Sequence, residues 1–126
     1  MKKNQFFSIL KRLKSFTFAV NGLKILLQEE HNSWLHIAIT LCVIVAGILL
    51  QISLIEWVAV IFCVGLVLAL ELINSAIENM TDFVSPQKNE IIGKVKDLSA
   101  AAVLIAAICA AIIGLIIFLP KIIALC

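Results

Sequence analysis

The sequence predicts an all-α integral-membrane protein in which an N-terminal amphipathic surface helix precedes three transmembrane helices. Of its 126 residues, 63% are hydrophobic and only 14% are charged, a balance that ordinary soluble domains do not reach. The hydrophobic residues form three segments long enough to cross a bilayer, roughly residues 35–50, 54–76 and 98–119. These segments use most of the chain, so we expect a single membrane domain over residues 1–126.

The first 30 residues are predicted to form the surface helix. Apolar residues recur there at helical spacing, with lysines on the other faces; they are Phe6, Ile9, Leu10, Leu13, Phe16, Val20 and Leu23. Such a helix lies in the headgroup layer, where its lysines attract anionic lipid. An anchor without chemistry fits the same pattern. Asn21-Gly22 is the point at which the helix could break into two pieces.

Polar residues mark the ends of the first two transmembrane helices. Asn32 or Ser33 can cap the first, because a short polar side chain satisfies a free N–H at a helix start. Ser53 can cap the second, with Glu56 three residues later completing a capping box. The second helix is expected to end at Ser85-Pro86.

The third transmembrane helix carries small residues at every fourth position of one face. They are Ala102, Ala106, Ala110 and Gly114. In lipid such a stripe lets helix backbones approach closely, so it predicts tight packing within or between subunits. A passage for substrate is the functional alternative.

The basic residues predict the orientation in the membrane, because lysine and arginine near transmembrane helices mark the cytoplasmic side. They gather in the N-terminal segment and in the loop that contains Lys88, Lys94 and Lys96. We therefore expect the N-terminus in the cytoplasm and the C-terminus outside. Lys121, near the C-terminus, is the one residue that disagrees.

One face of the second transmembrane helix is acidic and polar. At about 100° per residue, five polar side chains fall on a single face: Glu71, Asn74, Ser75, Glu78 and Asp82. A carboxylate at the edge of a bilayer costs several kcal/mol, so it is kept where it meets water, a partner or an ion. Two carboxylates and an amide suit magnesium, above all when ATP phosphates add oxygens. A further carboxylate can accept the proton of an attacking hydroxyl.

Two other polar clusters are expected at the same cytoplasmic level. Glu29 and Glu30 precede the first transmembrane helix, and Lys94, Lys96 and Asp97 precede the third. Cations there can hold phosphate oxygens and offset transition-state charge, as phosphoryl transfer requires. Lysines that only reach to the headgroups are the alternative.

The familiar nucleotide and metal motifs are absent from the sequence. Gly93-Lys94 lacks the upstream glycine and the following Ser or Thr of a phosphate loop, so spacing alone does not predict ATP binding. His31 and His36 have no further ligand partners, and neither is expected to bind a metal. The residues alone also permit a small proton-coupled membrane transporter that uses an intramembrane carboxylate, or a non-enzymatic membrane assembly subunit.

Two motifs together resemble the signature of the prokaryotic diacylglycerol kinase family, small bacterial membrane enzymes that include undecaprenol kinases. The first is ELINSAIE from Glu71 to Glu78 with Asp82, and the second is KDLSAAAVL from Lys96 to Leu104. The resemblance spans about residues 12–120. It implies a homotrimer in the bacterial cytoplasmic membrane, with active sites shared between neighbours at the cytoplasmic face. It also implies ATP and Mg²⁺, a membrane lipid alcohol as substrate, and no nucleic-acid partner.

The resemblance also implies roles for individual residues. Glu71 is similar to the catalytic base that contacts the lipid hydroxyl. Glu30 and Glu78 are similar to the carboxylates that hold magnesium with the ATP phosphates. The other expected ATP contacts are Lys14, Asn74, Lys96 and Asp97, and Lys11 and Arg12 are the expected lipid contacts of the surface helix.

Two short stretches look more like the undecaprenol kinase branch of that family than the diacylglycerol kinase of Gram-negative bacteria. They are QEEHNSWLH, residues 28–36, and ISLIEW, residues 52–57. Trp34 departs from many relatives, which have arginine at this position. The sequence leaves the choice between undecaprenol and diacylglycerol open.

Overall fold

A computed structural model describes the backbone of residues 2–126 and the side chains of residues 8–126. The described chain forms four α-helices: α1 Lys2–Glu29, α2 His31–Leu49, α3 Leu54–Val84 and α4 Glu90–Leu125. Helices α2, α3 and α4 are long and apolar enough to cross a membrane, which confirms the three predicted transmembrane helices. Phe6, predicted on the apolar face of the first helix, lies outside the described side chains.

Helix α1 is continuous, so the break considered at Asn21-Gly22 is absent. Gly and Asn inside a helix cost at most about 1 kcal/mol each relative to Ala, and 28 helical residues tolerate both. Most of α1 is exposed, including Phe16 and Val20. Among the described side chains of α1, those of the last turns pack against the rest of the chain, where Leu26 is buried. The amphipathic surface role of α1 stays a prediction.

The start of α2 differs from the prediction that Asn32 or Ser33 caps it. Glu30 is the N-cap, and it makes no side-chain capping bond. Ser33 lies inside the first turn and is 1% exposed, and its hydroxyl donates to the backbone oxygens of Glu30 at 2.6 Å and Leu26 at 3.3 Å. Trp34 adds an indole N–H bond of 2.8 Å to the carbonyl of Leu27. These bonds fix the angle between α1 and α2, and with it the position of Glu30.

The turn between α2 and α3 confirms the predicted capping box. Ser53 Oγ accepts from the Glu56 amide at 3.2 Å, and the Glu56 carboxylate accepts from the Ser53 amide at 3.0 Å. Gln51 adopts a left-handed conformation with φ of 51° to close this turn. Gly47 lets the ring of Trp57 approach closely, since a Cβ at Gly47 would lie 2.7 Å from the ring.

Helices α3 and α4 form an antiparallel pair with the most extensive helix contact of the described chain. Both run past the predicted hydrophobic segments: α3 continues beyond residue 76 to Val84, and α4 begins at Glu90, before residue 98. As predicted, α3 stops at Ser85-Pro86. Asn89 caps α4 by accepting the Ile91 amide at 2.8 Å. Residues 77–84 of α3 and 90–97 of α4 are helical although many of them are polar, because their side chains still follow the helical period.

The two ends of the α3–α4 pair are joined by charged contacts. At the end far from the acidic stripe, Lys121 Nζ lies 3.0 Å from Glu56 Oε2, so the lysine that disagrees with the expected orientation has a partner.

Of the small-residue stripe on α4, Ala106 is buried and Ala102, Ala110 and Gly114 are half-buried. The stripe therefore contributes to packing within the chain.

Candidate functional site

The acidic stripe of α3 lies close to the predicted boundary of the hydrocarbon core. A helix of 31 residues is about 46 Å long, whereas the core is about 30 Å thick, or about 20 residues. Counted from Leu54, the core ends near residue 73. Glu71 is then at the boundary and Glu78 is beyond it. Glu71 is only 5% exposed and Ser75 is buried beside it.

Glu30 joins this stripe from the junction of α1 and α2. Its Oε1 accepts a hydrogen bond of 3.5 Å from Ser75 Oγ, and the Glu78 carboxylate lies within hydrogen-bonding reach. Burial raises the pKa of Glu30, and the neighbouring negative charges of Glu78 and then Glu71 raise it further. Two carboxylates so close together need a shared proton or a cation between them.

This pair fits the way proteins bind Mg²⁺ with a nucleotide. Among the side chains of residues 8–126, no three Asp, Glu, His or Cys come together as a complete metal site. Mg²⁺ does not need one, because it is usually held by one or two carboxylates, substrate phosphates and water. Glu30 and Glu78 supply that number of carboxylates.

Glu71 has a partner that the sequence did not predict. His36 of α2 places Nε2 2.8 Å from Glu71 Oε1, and its side chain is 22% exposed. From the sequence, His36 is expected not to bind a metal, and no other role is predicted for it. Nothing in its spacing to Glu71 could show that α2 and α3 bring the two side chains together.

The remaining predicted nucleotide contacts lie at the α3–α4 interface or on its surface. Asn74 Oδ1 accepts a hydrogen bond of 2.6 Å from Ser99 Oγ of α4. Lys96 forms an ion pair with Asp82, and Asp97 is exposed. Asn74 therefore faces α4, while Lys96 pairs with Asp82, the last residue of the acidic stripe.

The predicted basic residues of α1 are not brought to the acidic cluster of the same chain. Lys11, Arg12 and Lys14 are exposed. Lys14 precedes Glu29, the last residue of α1, by 15 positions, which is about 22 Å along a straight helix. Their roles stay predictions.

Two cavities lie on opposite sides of Glu71 along α3. An apolar cavity of about 280 Å³ begins at His36 and extends between α2, α3 and α4, along residues such as Val43, Val64, Val67, Leu68, Ala107 and Ala110. A polar cavity of about 480 Å³ lies at the α3–α4 loop, beside Asp82, Lys88 and Lys96. Leu68 is about 4.5 Å before Glu71 along the helix and Asp82 about 16 Å after it. Along α3, Glu71 therefore lies between the apolar cavity, which its partner His36 lines, and the polar cavity at the α3–α4 loop.

The sequence is similar to known proteins over most of its length. A family profile described as prokaryotic diacylglycerol kinase matches residues 17–118. The undecaprenol kinase of Bacillus subtilis (strain 168) is 37% identical over 108 residues, which cover 86% of this chain and 88% of that protein. The diacylglycerol kinase of Synechocystis is 32% identical over 126 residues, covering 99% and 72%. That of Escherichia coli K12 is 41% identical over 76 residues, covering 60% and 62%.

These matches bear on the hypotheses left open by the residues alone. Each of these relatives is named a kinase of a membrane lipid, which gives no support to a proton-coupled transporter. The family profile covers all of α2 and α3, including the acidic stripe, and α4 as far as residue 118. The prediction of a membrane lipid kinase is therefore confirmed, and the chain belongs to the prokaryotic diacylglycerol kinase family.

Proposed function

We propose that this protein transfers the γ-phosphoryl group of ATP to the hydroxyl of undecaprenol at the cytoplasmic face of the membrane, with diacylglycerol as the second candidate substrate. The observation that carries the proposal is the position of Glu71. This buried carboxylate lies between an apolar cavity and the acidic pair of Glu30 and Glu78. A lipid hydroxyl and a nucleotide phosphate can approach it from opposite sides.

The chemical step needs one base and one line of attack. Glu71 accepts the proton of the lipid hydroxyl through the carboxylate oxygen that His36 leaves free. The lipid oxygen bonds to the γ-phosphorus, the bond from that phosphorus to the β–γ bridging oxygen breaks, and ADP leaves. The proton stays on Glu71 until it passes to water, so charge and atoms balance.

Mg²⁺ and ATP occupy the cytoplasmic side of Glu71 in this proposal. Glu30 and Glu78 hold the Mg²⁺, which when bound neutralises charge on the ATP phosphates. Asn74 makes a polar contact in this site, and Lys96 and Asp97 contact the nucleotide. Support for Lys96 comes from the polar cavity that it lines, although it must exchange its contact with Asp82 for a phosphate.

The active enzyme is proposed to be a homotrimer in which α1 of one subunit serves the site of a neighbour. The support is that α1 extends about 22 Å from the acidic cluster of its own chain before it reaches Lys14. Lys14 then contacts ATP, and Lys11 and Arg12 contact the lipid. The proposed orientation in the membrane has the N-terminus in the cytoplasm and the C-terminus outside.

The preference for undecaprenol rests on two observations. The Bacillus subtilis undecaprenol kinase combines 37% identity with 86% of this chain, whereas the diacylglycerol kinases reach 32% identity over 99% of the chain and 41% over 60%. In addition, the apolar cavity beside His36 is bordered by aliphatic and small side chains. Such a space accepts one unbranched or methyl-branched chain next to the reacting hydroxyl.

The test is a side-by-side measurement of turnover in detergent micelles with Mg²⁺ and labelled ATP. Undecaprenol, diacylglycerol and a simple long-chain alcohol are supplied at equal mole fractions. We expect transfer to undecaprenol with the highest kcat/KM. A higher kcat/KM for diacylglycerol contradicts the preference, and well-folded protein that phosphorylates none of the three contradicts the function.

A further inference from the structure

The contact between His36 and Glu71 involves neither the proposed nucleotide contacts nor the proposed Mg²⁺ ligands. Glu71 is 5% exposed, and among residues 8–126 His36 is the polar side chain that bonds to its carboxylate. A buried carboxylate needs a donor, because water does not satisfy it there. The distance from His36 Nε2 to Glu71 Oε1, 2.8 Å, is that of a strong hydrogen bond.

We propose that His36 is a positioning residue for the phosphoryl transfer: its Nε2–H holds Oε1 of Glu71, so that the other carboxylate oxygen faces the lipid hydroxyl. The inference rests on the proposed role of Glu71 as base. With one oxygen held, the carboxylate group no longer rotates freely. The free oxygen is then presented next to the apolar cavity, where His36 is itself a lining residue.

The histidine is placed for this role by the packing of α2. Near the start of α2, the hydroxyl of Ser33 is bonded to two backbone oxygens around the α1–α2 junction. One turn after His36, Thr40 Oγ1 donates 2.7 Å to the His36 backbone oxygen. A supporting donor on a rigid helix limits the orientations that Glu71 adopts, which is how positioning residues preserve a reactive geometry.

Kinetics on three variants test the role. His36→Ala removes the donor, His36→Gln keeps an N–H donor on a side chain of similar reach, and His31→Gln is the matched control on the exposed first residue of α2. We expect His36→Ala to lower kcat by roughly 10- to 100-fold, because misplacing a reacting group costs about that much. KM for the lipid stays within about twofold. His36→Gln recovers most of the loss, and the control has wild-type kinetics.

Imidazole NMR provides a readout that does not depend on activity. The protein has only two histidines, so ¹⁵N-histidine labelling gives two sets of imidazole signals, each from Nδ1 and Nε2, which His31→Gln assigns. We expect His36 to carry its proton on Nε2, with the proton shifted to low field by the carboxylate. Glu71→Leu should move this signal and leave that of His31 unchanged.

Each result decides the proposal. It is overturned if His36→Ala has wild-type kcat, if His36→Gln is as impaired as His36→Ala, or if Nε2 of His36 is unprotonated in the wild-type protein. The last measurement stands even if a variant does not fold. Wild-type protein that shows the Nε2–H signal but phosphorylates no lipid contradicts the proposed function and leaves the hydrogen bond established.

Discussion

Removing one charge from the Glu30–Glu78 pair is predicted to stabilise the protein while impairing its activity. Burial and then the negative charge of Glu78 raise the pKa of Glu30, so without a cation its ionised form is disfavoured and the two carboxylates repel each other. The repulsion of two unit charges at 4 Å is about 1 kcal/mol in water and about 4 kcal/mol at an effective dielectric constant of 20. Because Glu30 is only half-buried, we expect Glu30→Gln to gain about 1–2 kcal/mol.

The sign of the pH dependence follows from the direction of the pKa shift. A carboxyl whose folded-state pKa is raised above 4.5 is destabilising when ionised. The penalty is absent below the unfolded-state pKa and complete above the raised one. The stability advantage of Glu30→Gln should therefore be present at pH 7 and vanish as the pH falls below about 4.

The assay is thermal unfolding in detergent with EDTA, followed by tryptophan fluorescence. At pH 7 we expect the apparent Tm of Glu30→Gln to exceed that of the wild type by roughly 4 to 8 °C. Glu29→Gln is the control, since the exposed Glu29 bonds to Asn79 and lies outside the pair. With Mg²⁺ and ATP added, the wild type should gain more than Glu30→Gln. An apparent Tm of Glu30→Gln no higher than that of Glu29→Gln at pH 7, or an advantage that persists below about pH 4, would contradict the predicted carboxylate repulsion.

Three further predictions concern packing, capping and orientation. Gly47→Ala is expected to lower the Tm by overpacking worth about 1–3 kcal/mol, because the new Cβ would lie 2.7 Å from the Trp57 ring; an unchanged Tm would show that the ring moves aside freely. Ser53→Ala should cost about 1 kcal/mol by removing the capping bond to Glu56, whereas Ser53→Thr should retain it; equal Tm values for the two variants would rule this out. In a variant with alanine at the other three cysteines, Cys126 should react with a membrane-impermeant maleimide in intact cells. Labelling only after permeabilisation would reverse the proposed orientation.

The hydrophobic pattern was sufficient to predict where α2, α3 and α4 cross the membrane, and less informative about where they end. The predicted second span stopped at residue 76, but α3 continues to Val84. Hydropathy falls at the acidic stripe, so the hydrophobic pattern does not show that the helix continues. The polar side chains of the stripe keep the helical spacing, and α3 continues through them. At Ser85-Pro86 the local chemistry was decisive and the predicted end is correct. Ser33 was misread as a cap because its actual partners, two backbone oxygens, depend on the angle between α1 and α2.

Helical periodicity predicts only the part of the candidate site that lies on one helix, and not the contacts that depend on how the helices pack. Helical phase placed Glu71, Asn74 and Glu78 on one face without reference to any other helix. Glu30 could be assigned only through the family resemblance, because its approach to Glu78 depends on the junction between α1 and α2. His36 was missed, since its contact with Glu71 joins residues 35 positions apart on different helices.

The most direct test of the account is the turnover of Glu71→Gln with undecaprenol, Mg²⁺ and ATP, compared with the wild type and with Glu29→Gln. The amide keeps the shape of the side chain but cannot accept the hydroxyl proton. We expect a kcat lowered by about 10²- to 10⁴-fold, with the KM for ATP nearly unchanged. Turnover within about tenfold of the wild type would show that Glu71 is not the base.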